Sequence, residues 1–368
     1  MRTLKITLTV LVLCELCSSV FAQTTAPSQV TTPTYSNEFL QIGVGARALG
    51  MGNATVASVN DATSTYWNPA GLLQIKDDLE VSLMHAEYFA GIAKYDYGSI
   101  AKRIDTSSVI GLTVIRFGVD DIPNTTLLID PTGNVNYNNI TTFSSADYAF
   151  LFSYARKIKI PGLRVGGNVK VIRRVVGDFA GAWGFGLDAS AQYDYKQWKF
   201  GVLLRDVTST FNAWTYNLGS SMESVFQSTG NQIPTNGVEV TLPSLVLGFA
   251  REFKIKNDYS ILAEADLNTT FDGERNVLIG SNVLSIDPCI GVEAGYRHFI
   301  YLRAGVGSFQ TATDVTGATI HTVQPSMGVG VRFKGVTLDY ALTNIGDQLY
   351  SNVFSLKLDI NKHLHKPA

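Results

Sequence analysis

The sequence predicts an all-β fold: a transmembrane antiparallel β-barrel of about 14 strands, preceded by an N-terminal periplasmic or luminal hatch segment. Three observations carry that expectation. Charged residues make up only 16% of the chain while hydrophobic residues reach 45%; an ordinary soluble domain carries roughly 25% charge. Much of the surface therefore does not face water. No stretch beyond the N-terminus approaches the ~20 consecutive apolar residues of a membrane helix. The apolar residues instead recur at every second position, the period of a strand with one apolar and one polar face. A secreted soluble β-protein is the alternative that composition leaves open.

The remaining composition fits a barrel. There are 33 glycines, 16 tyrosines and 19 phenylalanines. Glycine suits close backbone approach, and aromatic residues suit the belts at a membrane interface. The net charge of -2 provides no basic field for nucleic acid.

Residues 1–22 read as a secretory signal peptide: Arg2 and Lys5, an apolar run from Ile6 to Leu13, and a small-x-small cleavage site at Val20-Phe21-Ala22. Cys14 and Cys17 lie inside it and each follows a leucine, which does not suit a lipid-attachment site. The mature chain keeps Cys289 alone, so no internal disulfide forms, and Cys289 reads as a small strand residue. Residues 23–35 are Thr/Pro/Gln-rich and read as a flexible lead-in.

Residues 36–75 form a distinct segment. Gly43, Gly45, Gly50 and Gly52 allow tight bends and close packing. Asp61 can cap a short helical turn. Trp67-Asn68-Pro69-Ala70-Gly71 is turn chemistry. Such irregular backbone is tolerated at membrane depth only when buried in protein, so the segment is expected inside the barrel or against its periplasmic mouth.

Residues 76–360 then read as strands, at 78–90, 93–105, 107–117, 146–157, 162–175, 182–195, 197–206, 243–254, 258–268, 287–296, 299–308, 325–333, 335–342 and 352–360. The clearest is Gly184 to Tyr195, where Phe185, Leu187, Ala189, Ala191, Tyr193 and Tyr195 share one face. The links near 158–161, 196, 255–257, 297–298 and 334 are short; those at 118–145, 207–242, 269–286, 309–324 and 343–351 are long. Their alternation matches short periplasmic turns and long external loops. An even strand number places both termini in the periplasm. Residues 361–368 form a polar tail, where many such barrels end on an aromatic residue.

Lys or Arg facing the bilayer midplane costs about 2–4 kcal/mol. Lys170, Asp188, Arg205, Glu264, Asp266, Glu293, Arg303, Arg332, Asp339 and Lys357 are therefore expected to point inward. Their mixed signs favour an ion-pair network that fills the lumen over a polar conduit.

The segment FLQIGVGARALGMGNATVASVNDATSTYWNPAGLL, Phe39 to Leu73, closely resembles the N-terminal signature of the PorV/PorQ family, a branch of the FadL-like barrels. The matching positions are Phe39, Leu40, Ile42, Ala46, Arg47, Ala48, Met51 and Gly52, then Asp61, Ala62, Trp67, Asn68, Pro69, Ala70 and Leu72; Gly50 and Gly71 lie within the same motif. Leu338-Asp339-Tyr340-Ala341, Gly346 and Phe354-Ser355-Leu356 look similar to the family's C-terminal end, although Asn352-Val353 stands where the family often has a His-Arg pair. The resemblance implies fourteen strands in the outer membrane of a Bacteroidota-like bacterium and a part in type IX secretion. Its partners would be outer-membrane lipids, secretion-system proteins and cargo bearing a C-terminal signal. FadL itself passes hydrophobic molecules through a lateral opening, so transport of small hydrophobic molecules is the alternative function. In such barrels the N-terminal segment is the hatch.

No catalytic, cofactor-binding or metal-binding residues are expected. His85, His298, His321, His363 and His365 show no ligand spacing, and no Ser/His pair for a barrel lipase is evident. The long connections are the candidate partner-binding surfaces, with Phe211, Trp214, Tyr216 and Phe226 as aromatic anchors. Solvated loops that merely cover the barrel mouth are the alternative.

Overall fold

The structure is a computed structural model and describes residues 35–129, 132–255, 258–313, 319–346 and 349–360. The signal peptide, the lead-in up to residue 34 and the tail 361–368, with both chain termini, lie outside the described residues.

Seventeen strands are present among the described residues: β1 (Leu79–Tyr88), β2 (Ala93–Arg103), β3 (Ser108–Asn124), β4 (Thr141–Lys157), β5 (Leu163–Val176), β6 (Ala180–Tyr195), β7 (Trp198–Arg205), β8 (Thr210–Tyr216), β9 (Gly237–Thr241), β10 (Ser244–Ile255), β11 (Tyr259–Thr270), β12 (Ile279–Gly280), β13 (Ser285–Tyr296), β14 (Ile300–Thr313), β15 (Thr319–Phe333), β16 (Val336–Gly346) and β17 (Leu349–Ile360). Fourteen of them close the barrel, because β8, β9 and β12 are extensions. β7 pairs directly with β10, from Arg205↔Ser244 to Trp198↔Arg251. Closure comes from β1 against β17, from Leu79↔Ile360 to Glu87↔Asn352. No helix among the described residues is long and apolar enough to cross a membrane; the strands do so.

The period-two pattern orients the wall as expected. Along β1, Glu80, Ser82, Met84, Ala86 and Tyr88 are buried in the lumen while Leu83 and His85 face out. All ten charged residues assigned inward lie on the luminal face, and Lys170, Asp188, Arg205, Glu264, Asp266 and Arg303 are buried there. Exposed Tyr195, Trp198, Tyr259, Phe299 and Phe333 ring the short-turn rim, and Trp183, Phe185 and Phe211 lie toward the opposite end of the outer face. These are the two aromatic belts of a membrane barrel.

Strands run further than the sequence pattern reaches. β3 extends to Asn124, β4 begins at Thr141, and β8 and β9 form a hairpin within 207–242. Above the membrane both faces of a strand meet water, so the apolar alternation fades while the ladder of the neighbouring strand continues. β8 pairs with the outer half of β6, from Ala180↔Tyr216 to Phe185↔Phe211, and the inner half of β6 pairs with β7. The break between β7 and β8 falls where Asp206 and Ser209 take positive φ. The length alternation is also less strict than expected. Links 89–92 and 177–179 stand on the long-connection rim yet are short. Phe89 and Ala90 both adopt left-handed φ there, which closes a tight hairpin turn. Lys334 and Gly335 do the same at the short-turn rim.

The barrel strands start and finish at the short-turn rim, which is the periplasmic one. The segment ahead of β1 begins at the opposite rim. Ser36 and Asn37 bond Thr241 at the membrane-side end of the outer β8–β9 hairpin, and Asn37 also bonds Asn212 of β8. From there the chain descends through the lumen to β1. β1 thus begins at the periplasmic rim, while the described chain enters at the outer rim; the expectation that both termini are periplasmic falls outside the described residues.

Candidate functional site

The segment before β1 fills the lumen. It folds as short turns and two short helices, α1 (Ala46–Gly50) and α2 (Ser64–Trp67), followed by a 3-10 turn over Pro69–Gln74. Such short helices cannot satisfy their own ends, so the wall and the segment's own polar side chains must supply partners. Phe39, Leu40, Val44, Tyr66 and Trp67 share one apolar cluster with Tyr95, Ile115 and Ile172 of the wall. Tyr66 OH donates to the Leu40 carbonyl at 2.6 Å, and Trp67 Nε1 donates to the Val44 carbonyl at 2.8 Å. Both rings meet edge to face at 4.9 Å, and the buried Arg205 guanidinium lies 4.8 Å from the Tyr66 ring and 6.0 Å from that of Trp67.

Wall carboxylates receive the segment's backbone amides. Thr55 and Val56 donate N–H to Asp266 Oδ2 at 2.7 and 2.9 Å. Ala57 and Ser58 donate to Glu264 Oε1 at 2.7 and 3.2 Å. Ala62 donates to Glu80 Oε1 at 2.5 Å. Gln192 Nε2 donates to the carbonyls of Val56 and Val59 at 3.1 and 3.0 Å. Three of these four wall residues are carboxylates because exposed peptide N–H groups form a local positive pole that favours an anion.

Charged pairs complete the contact. Arg47 Nε meets Glu293 at 2.9 Å, and Arg303 bridges Glu293 and Asp339 at 2.7 Å each. Lys170 sits between Asp188 at 2.9 Å and Asp206 at 2.5 Å. Lys357 approaches Asp61 at 3.7 Å. The mixed-sign lumen is thus an ion-pair network, as the sequence favoured.

Glycines let the two backbones touch. A Cβ on Gly305 would lie 2.1 Å from the Met51 carbonyl carbon, and one on Gly201 would lie 2.4 Å from the Val56 oxygen. Within the segment, Gly52 has φ +64°, and a Cβ there would strike Val306 N at 2.6 Å. A β-carbon at any of these positions would push the segment off the wall.

The signature residues are therefore brought together. Ala46 N donates to Ser355 Oγ at 2.7 Å, and Gly50 packs on Gly328. Asp61 accepts from Thr63 N at 3.0 Å, an Asx turn ahead of α2. Asn68 folds onto Ala70 N at 3.2 Å and donates to the carbonyls of Val56 and Ala191 at 2.9 and 3.1 Å. Pro69 and Ala70 press on Gly166, and Gly71 abuts the Val59 carbonyl. Phe39 accepts from Tyr95 OH at 3.1 Å. Glu80 and Gln192 escaped the sequence argument. Each stands on a polar strand face, but nothing in the sequence says which peptide group it meets.

Open space lies on the outer side of the segment. A cavity of about 420 Å³ is lined by Phe39, Ile42, Leu49, Phe117 and Ile345 with Gln41 and Asn53. One of about 380 Å³ shares Gln41, Gly52 and Asn53 and adds Arg275, Asp287 and Cys289. A third, about 520 Å³, lies between Tyr35–Glu38 and Arg174, Trp214, Tyr216 and Glu239. Burial pushes the Glu38 carboxyl at this mouth upward, against the opposing pull of Arg275.

Of the four aromatic candidates, Trp214 and Tyr216 stack at 6.1 Å and face the third cavity. Trp214 Nε1 donates to Glu239 at 2.7 Å, and Arg174 lies 5.0 Å from its ring. Phe211 faces outward beside Phe185 in the aromatic belt. Phe226 is half-buried on the helix α3 (Ser220–Ser228). The four do not form one patch.

Comparison with known proteins agrees with the geometry. The family model described as "Type IX secretion system protein PorV" matches residues 24–269. No curated protein matches. Among solved structures, the CymD monoaromatic hydrocarbon channel is similar with a TM-score of 0.56 at 15% identity, over 88% of this chain and 99% of that one. The Ralstonia pickettii toluene transporter TbuX gives 0.53 at 14%, over 88% and 100%. A Pseudomonas aeruginosa FadL homologue gives 0.50 at 12%, over 90% and 100%. At these identities the likeness shows the fold alone. On the family match, the chain belongs to the PorV family of type IX secretion system proteins, built on a FadL-like outer-membrane barrel.

Proposed function

We propose that the chain binds secreted cargo or surface-attachment partners at its outer mouth, and that residues 36–75 act as a hatch that keeps the lumen shut. The observation that carries this reading is the hatch itself. Its amides are tied to buried carboxylates around the wall, and the larger open volumes lie outside it. Trp214 and Tyr216, paired at the mouth, are the favoured anchors, with Phe226 on the neighbouring helix. Phe211 is a lipid-interface residue in this reading. Deleting the gene in the native bacterium should abolish secretion or attachment of proteins bearing a C-terminal signal. Normal secretion and attachment would sink the proposal.

A second reading, passage of small hydrophobic molecules, is favoured by the apolar lining of the 420 Å³ cavity. It requires the hatch to move. A disulfide locking the hatch to β14 should then block uptake of a monoaromatic solute; uptake unaffected by both the lock and gene deletion removes this reading.

A further inference from the structure

An arginine low on the wall faces lipid. Along β10, Val246, Gly248 and Ala250 turn into the lumen, so Arg251 points outward with Phe249 and Phe253. Its guanidinium carbon lies 4.9 Å from the centre of the Trp198 ring and 4.7 Å from that of Phe253. Both rings are exposed on the outer face. The Nε atom of Arg251 is buried and has no hydrogen-bond partner. Its outward neighbours on β6, β7 and β11 include Tyr195, Phe200, Ile261 and Ala263, which bring no carboxylate. Other cations of this rim are paired. Arg297 meets Asp258 at 3.0 Å, and Arg164 and Lys199 meet Asp194 at 2.8 and 3.8 Å. Arg251 and Lys196, whose Nζ lies 5.2 Å from the Tyr195 ring, pair with no carboxylate among the described residues.

Arg251 stands at the periplasmic border of the membrane. It pairs with Trp198, the first residue of β7, and the Glu252 amide donates to the Gln197 carbonyl of the β6–β7 turn at 3.1 Å. Neighbouring strands lie about 4.8 Å apart, and with a tilt near 40° one step around the wall changes height by about 3 Å. Arg251 is therefore within about 3 Å of the level at which β7 leaves its periplasmic turn. Above it the outward face is Phe249 and Leu247, with Val202 and Leu204 beside them on β7. A guanidinium held against two rings at this level lies among the phosphates of the inner leaflet, and the apolar face above it lies among the acyl chains.

We propose that Arg251, set against Trp198 and Phe253 and with Lys196 at the adjacent turn, binds the phosphate of an anionic phospholipid in the inner leaflet of the outer membrane. The planar guanidinium presents paired donors that match phosphate oxygens, and the rings hold it in place before the lipid arrives. Two cations without a carboxylate favour a headgroup of net negative charge, because the ammonium of a zwitterionic headgroup meets like charge there. Free phosphate has no chains to lay on Phe249, Val202 and Leu204, so the apolar face assigns the site to a lipid. The inference rests on the barrel's orientation in the membrane and not on the process it serves.

The test reconstitutes the full mature chain in an equimolar mixture of phosphatidylglycerol and phosphatidylcholine with identical acyl chains. Native mass spectrometry then counts the lipids of each class that each barrel retains in mild detergent. The unaltered chain should retain phosphatidylglycerol in preference to phosphatidylcholine. Arg251→Gln should cut that preference at least about tenfold, the weight of one hydrogen bond to a charged group. Lys196→Gln, at an exposed turn, is the second variant and should cut it about threefold, as for a solvent-screened ion pair. Lys334→Gln removes the same charge from another turn of this rim, beside Phe333, and should leave the preference unchanged. Inorganic phosphate in excess should not displace the retained lipid. Equal retention of the two lipids by the unaltered chain overturns the proposal and requires no variant. So does an unchanged preference in Arg251→Gln barrels that keep their heat-modifiable gel mobility, an equal loss in Lys334→Gln, or displacement by inorganic phosphate.

Discussion

The luminal segment, residues 36–75, is held in two different ways on its two sides. Toward β10, β11, β13 and β14 it is backbone against backbone, with Gly248, Gly291 and Gly305 giving way and Glu264, Asp266 and Glu293 taking its amides and its arginine. Toward β1–β5 side-chain burial dominates, with Tyr66, Trp67, Leu72 and Val44 buried beside Tyr95, Ile115, Val109 and Ile172, while Glu80 takes one amide and Gly166 gives one close backbone contact. The first side tolerates no added atom and depends on direction. The second depends on buried area and can give a little. A segment fixed on one side by geometry and on the other by apolar burial has one position in the lumen and little freedom to slide.

The sharpest way to break this contrast is on the glycine side. Gly305→Val should cost more than any other single change considered, at least about 3 kcal/mol, because its branches would enter the Met51 peptide. Denaturant unfolding followed by gel mobility measures it. Gly98→Ala is the matching control, since a Cβ there meets only Leu83 Cδ2 at 3.5 Å on the outer face, and it should change stability by less than about 0.5 kcal/mol. On the apolar side, Trp67→Ala should cost about 3 kcal/mol through a cavity and a lost bond to Val44.

Asp266→Ala leaves the Thr55 and Val56 amides without their acceptor and should cost about 2 kcal/mol. Its effect should be local, with faster amide hydrogen exchange at residues 54–58 and slow exchange kept at Tyr66 and Trp67. Equal acceleration at both would mean that the two sides are not independent. Tyr66→Phe removes one hydroxyl bond to Leu40 and should cost about 1 kcal/mol, the smallest loss apart from the Gly98 control.

Much of the molecule was legible before any coordinate. The fourteen runs from 78–90 to 352–360 each correspond to a barrel strand, because a wall between lipid and a polar lumen imposes period two on every spanning residue. The rule failed where that imposition ends. Thr210–Tyr216 and Gly237–Thr241 are strands above the membrane, with no lipid on one side to demand apolar residues. Phe211 and Trp214 differ by an odd number of residues, so on β8 they face opposite ways, and a loop reading could not separate them.

The sequence by itself determined the class of fold, the count of spanning strands, the inward set of charges and the family. Each of these follows from local period, from the cost of charge in lipid, or from a contiguous motif. Only the tertiary structure decided that Asp266 meets Thr55 and Val56, that Gly305 lies against Met51, that the described chain enters at the outer rim, and that Arg251 lies against Trp198 on the outer face. Those contacts join residues far apart in the chain, and their partners are chosen by barrel closure and register, which no local stretch of sequence contains.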